Sequence, residues 1–127
     1  MPVPLPGSAS DNVLNVPIAN ITAATVAYTA VTKAGRIKAM HIVPQAATAT
    51  GSATFQLAYA PPGSGTYTNI AAALVTVPSA TAAGTDTYVA VNPSTGAYVT
   101  DGGSLRITVG GTATGGGAPL ASIVLGV

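Results

Sequence analysis

"SATFQLAYA", residues 52–60, decides the fold. Phe55, Leu57 and Tyr59 alternate with Thr54, Gln56 and Ala58, and only an extended strand sends successive side chains to opposite faces. The stretch predicts a β-strand with one apolar face. It stops at "PPGSGT" (61–66), where two prolines and two glycines dictate a loop. The segments on either side repeat this logic. Before it come "VLNVPI" (13–18), made an edge or a bend by Pro17, then "TVAYTAVT" (25–32), with Val26, Tyr28 and Ala30 on one face, the tight turn "KAG" (33–35), and "RIKAMHIV" (36–43), closed by Pro44. After it come "YTNIAAALVTV" (67–77), "DTYVAVN" (86–92), ended by "PSTG", then "AYVT" (97–100), "LRITV" (105–109) and "APLASIVLGV" (118–127). In 67–77 the run from Ile70 to Leu74 is compatible with a helical turn, but the Val and Thr that follow favour strand. "PSATAAGT" (78–85) and "GGTATGGG" (110–117) read as loops.

Short strands separated by turn clusters, without a helical period or a fixed repeat, predict an all-β chain. About eight antiparallel strands in this length fit a single jelly-roll-like β-sandwich, with an immunoglobulin-like sandwich as the rival order. Residues 1–20 read as an extended proline-rich arm and first edge segment, and 21–127 as the sandwich domain. In the arm, "PVPLP" cannot form helix and favours polyproline II. Val3, Pro4 and Leu5 are its candidate contacts with a neighbour.

Composition narrows the function. Of 127 residues only 6% are charged, net charge is +1, and 48% are hydrophobic. An average globular chain carries roughly 25% charged residues. Disorder pairs low hydrophobicity with high net charge, so this is a folded chain. Near-zero charge is poor for a free, concentrated monomer and suits a docked one. One Phe, no Trp and much Ala predict a thin core, for which oligomerisation is a common remedy. The N-terminus lacks the basic and apolar regions of a signal peptide, and no apolar run reaches the roughly 20 residues of a membrane span.

Catalytic equipment is sparse. Asp11, Asp86 and Asp101 fall at expected turns or strand edges, where Asp bonds locally. His41, the only histidine, lies mid-strand, without a G-x-S-x-G elbow to supply a serine. One histidine and no cysteine do not make a zinc site within one chain. "GGTATGGG" lacks the Lys-Ser/Thr of a phosphate loop. "NIT" (20–22) reads as a chance sequon, and the two "TAT" triplets lack the regular threonine spacing of an ice-binding surface. No cofactor, metal or enzymatic activity is expected.

Three of the four cations, Lys33, Arg36 and Lys38, gather with His41 in "KAGRIKAMHIVP" (33–44). Arg36 and Lys38 fall on one strand face, with Ile37 and Ala39 on the other. Such a cluster is a solvated strand edge, a rim that docks on an acidic protein surface, or a nucleic-acid patch. Three cations in neutral surroundings are too few for the last. Tyr67 and Tyr98, near loops, are the only hints of a sugar site.

"AGRIKAMHIVPQAATATGSATFQLAY" resembles the recurring core of small β-sandwich head-decoration (cement) proteins of tailed bacteriophages: a turn, a strand leading to proline, a polar loop and an alternating strand. "TDGGSLRITVGGTATGGGAPLASIVLGV" resembles their usual ending. The likeness covers about residues 30 to 60 and 84 to 127. It implies a jelly-roll or related sandwich that stands as a homotrimer on the outer capsid surface, made in the host cytoplasm and bracing the shell. The implied partners are the major capsid protein and the chain itself, without nucleic acid or membrane. No docking residue is matched by identity, so Val3, Pro4, Leu5, Lys33, Arg36, Lys38 and His41 are assigned by position. The alternative is a receptor- or glycan-binding tip module of a phage fibre or tail.

Overall fold

The computed structural model describes residues 12–91, 98–115 and 117–126. The proposed arm contacts Val3, Pro4 and Leu5, together with Asp11 and the "PSTG" turn, lie outside the described residues. Eleven strands follow in order: β1 (Asn12–Pro17), β2 (Val26–Ala30), β3 (Gly35–Val43), β4 (Thr48–Ala49), β5 (Ala53–Ala60), β6 (Thr68–Val77), β7 (Thr87–Ala90), β8 (Tyr98–Val99), β9 (Ser104–Gly111), β10 (Thr114–Gly115) and β11 (Leu120–Gly126). All pairings are antiparallel. Every long strand foreseen from alternation is present.

One sheet runs β1-β11-β3-β7, with β8 also on β3; the other runs β2-β9-β5-β6. β7 pairs with residues 39–42 of β3 and β8 with residues 35–36. β7 and β8 are therefore two pieces of one edge strand. With them joined and the short β4/β10 pair set aside, eight strands remain. The first, eighth, third and sixth form one sheet; the second, seventh, fourth and fifth form the other. This is the order of a jelly roll. In the immunoglobulin arrangement the first two strands share a sheet, whereas here β1 and β2 lie in different sheets.

The inner faces meet in a branched-aliphatic core. Phe55, Leu57, Leu105, Ile107 and Val109 from the second sheet face Ile37, Met40, Ile42, Ile123 and Leu125 from the first, all buried. Burying one such side chain is worth about 1.5–3 kcal/mol. In β2 the shared face of Val26, Tyr28 and Ala30 is the outer one.

Three features escape alternation. In β6, Asn69 pairs with Ala58 and Leu74 with Gln56, so Leu57 alone stands opposite four residues. The stretch that also reads as a helical turn is thus a wide bulge within a strand. Gln56 fills it: its Nε2 donates to the carbonyls of Ile70 at 2.8 Å and Leu57 at 3.0 Å, and approaches that of Ala73 at 3.4 Å. Second, "TAT" at 48–50 and the glycine-rich loop contribute β4 and β10, which pair with each other. Thr48 is buried; its Oγ1 donates to Pro78 O at 3.0 Å and accepts from the amide of Thr81 at 2.8 Å. Third, β9 runs on to Gly111, whose φ of 91° and contact with the Ser52 backbone leave no room for a Cβ.

Candidate docking face

The outer face of the β1-β11-β3-β7 sheet carries three of the residues singled out by sequence, Arg36, Lys38 and His41. β3 positions them, and a bulge sets their direction. Ala39 pairs with Val124 and Ile37 with Leu125, which makes Lys38 the bulged residue of the β3/β11 ladder. Burial accordingly skips from Ile37 to Met40 and Ile42. The expectation that Ala39 follows Ile37 to the inner face is corrected: the bulge turns Ala39 outward beside Val124 and Ala90. Arg36 is exposed and Lys38 half-buried. The aliphatic stem of Lys38 lies over Gly126, where a Cβ would collide with it. Lys33 stands apart, exposed in the bend between β2 and β3.

Two aromatic contacts organise this face. The Arg36 guanidinium carbon lies 5.7 Å from the centre of the Tyr98 ring, within cation–π range. His41 pairs in register with Tyr88, and their rings stack at 4.9 Å and 19°. Two residues before Tyr88, Asp86 meets the imidazole at its Nδ1 edge. Its carboxylate oxygens lie 2.9 and 3.0 Å from His41 Nδ1. A carboxylate only accepts, so Nδ1 carries a proton and donates it to Asp86. Tyr88 and Tyr98 are 62% and 54% exposed, and Val13 and Leu120 add apolar surface on β1 and β11.

A serine nucleophile would have to donate to Nε2. The hydroxyl in register beside His41 is Ser122, which instead donates to Asn15 Oδ1 at 2.9 Å. Asn15, Ser122, His41 and Tyr88 therefore form one cross-strand row over the four strands of this sheet. Among the described residues, no group of three or more His, Cys, Asp or Glu side chains is placed to hold a metal ion.

The structure separates the two tyrosines considered for sugar binding. Tyr98 belongs to this face. Tyr67 lies just before β6 in the other sheet, and its hydroxyl bonds Ser104 Oγ at 2.7 Å. Sequence reasoning missed Asp86 as the partner of His41. Its only signal was parity, since Asp86 and Tyr88 share a strand face, but nothing local says that β7 pairs with β3. It also missed Arg106, the fourth cation, whose guanidinium carbon lies 4.9 Å from the centre of the Tyr67 ring.

No protein-family model matches the chain, and no curated protein does. Among solved structures it is similar to Eiger TNF from S. frugiperda, at 8% identity and a TM-score of 0.45, over 91% of this chain and 85% of that one.

Proposed function

We propose that this chain is a non-enzymatic structural protein of a virion, which decorates and stabilises the outer surface of a tailed-phage capsid as a homotrimer. The observation that carries the reading is the aromatic and cationic outer face of the β1-β11-β3-β7 sheet, where Arg36 lies over Tyr98 and Tyr88 stacks on His41. Exposed aromatic and Arg side chains are the types enriched in protein interfaces. The same face combines them with Lys38, on a chain that is otherwise almost uncharged. The resemblance to head-decoration proteins adds support. Its two quoted segments span β3 to β5 and β9 to β11, which contain the two inner strands of each sheet.

The test is co-sedimentation with undecorated phage shells across a salt series. Reversing Arg36 and Lys38 to Glu is expected to make attachment fail at lower salt, because the pairing it removes is screened. Deleting residues 2–10 is expected to lower occupancy. A salt curve identical to that of the parent chain would remove the cation cluster from the docking reading. Unchanged occupancy after the deletion would remove the arm.

A second reading, a receptor- or glycan-binding tip module, is favoured by the exposure of Tyr88 and Tyr98 on one edge strand. Hits on a glycan array without shell attachment would select it.

A further inference from the structure

On the opposite face of the sandwich, Arg106 is a cation that no anion among the described residues pairs with. It sits centrally in β9, paired in register with Tyr28 on β2 and with Ala58 on β5. Its Nε is buried and has no hydrogen-bond partner. Among the described residues its two terminal nitrogens have no hydrogen-bond partner, and unlike Nε they are not buried. The side chain is held by stacking instead, over the Tyr67 ring at 4.9 Å. Tyr67 is itself fixed. It starts beyond β5, crosses the outer side of that strand, and ends with its hydroxyl on Ser104 of β9. Ala58 and Ala60, outward by alternation, are buried; they pair with Arg106 and Ser104, the two residues that Tyr67 meets on β9. Tyr28 packs against Tyr67 at 5.7 Å and 56°, yet leaves 62% of its surface open.

The unpaired Nε is buried and out of reach of a ligand, so the donors that can be met from outside are the two terminal nitrogens. Such a fork, positioned by aromatic rings, matches the two oxygens of a carboxylate. One cation without further basic neighbours on this sheet fits a singly charged group rather than a polyanion. The adjoining open ring of Tyr28, with Thr108 and Ser104 on the same face of β9, fits the C–H face of a pyranose.

We propose that Arg106, Tyr28 and Tyr67 form a binding site for a carboxylated sugar ring. The carboxylate is taken end-on by the two terminal guanidinium nitrogens, and the apolar face of the sugar lies on Tyr28. Tyr67 positions the guanidinium. The site lies on the sheet away from the docking face and does not depend on attachment to a shell.

The test is an NMR titration of the intact chain with a glucuronic-acid disaccharide, with the matched glucose disaccharide and acetate as controls. The acidic disaccharide is expected to shift the Arg106 side-chain Nε–H and the Tyr28 ring resonances, with millimolar affinity. Arg106→Lys, which keeps the charge and loses the fork, is expected to weaken binding about tenfold or more. Tyr28→Ala, on an exposed side chain, is expected to do the same with an unchanged unfolding temperature. Equal shifts with the neutral disaccharide would overturn the role of the carboxylate. Equal shifts with acetate would mean an adventitious ion only and overturn the sugar site. An absence of shifts, or shifts confined to Tyr88 and Tyr98, would overturn the proposal while leaving shell docking untouched.

Discussion

Single side chains correct the strand pattern where the backbone departs from it. Gln56 is the clearest case. As an outward polar residue in an alternating strand it looks dispensable, yet its amide serves carbonyls that the β6 bulge takes out of the ladder. Gln56→Leu keeps the volume and removes the donor. It is expected to lower stability by about 1–3 kcal/mol, seen as a lower denaturation midpoint at an unchanged slope. A midpoint equal to that of the parent chain would mean that water serves these carbonyls equally well. The alanines at 58 and 60 carry a similar message. In the sequence they are weak strand residues, and in the fold they are buried on the outer side of β5, in register with Arg106 and Ser104.

Among the elements, β3 does most to shape the candidate site. It pairs with β11 on one edge and with β7 and β8 on the other. Its bulge at Lys38 divides the outer row into Arg36 beside Tyr98 and His41 beside Tyr88. The His41–Asp86 bond ties the edge strand to β3 from just outside the ladder. Both side chains are partly exposed, at 30% and 49%, so Asp86→Asn is expected to change global stability by about 0.5 kcal/mol or less. Its effect belongs to the edge: amides of β7 should exchange faster with solvent while those of β5 and β9 do not change. Equal acceleration in all three strands would show instead that the pair supports the whole fold.

At the level of the whole molecule, two sheets of small and branched side chains close over one core that contains a single Phe. The chain is expected to share further surface with copies of itself. Light scattering on the 12.2 kDa chain should give three chain masses independent of concentration. A monomer throughout the range would leave oligomerisation to the shell. The sequence by itself determined which segments are strands, which are turns, and that the chain is all-β, because alternation and Gly/Pro punctuation are local properties of the backbone. It marked Lys33, Arg36, Lys38 and His41 as a cluster for the same reason, since they lie in one short stretch, of which the structure puts Lys33 in the bend before β3. Only the tertiary structure decided the jelly-roll order, the β4/β10 pair, the bulges, the partnership of His41 with Asp86 45 residues away, and the meeting of Tyr28, Tyr67 and Arg106. Every strand edge offers the same N–H and C=O groups, so no strand names its neighbour. The choice is made collectively, by the arrangement that buries all the apolar faces against one another at once.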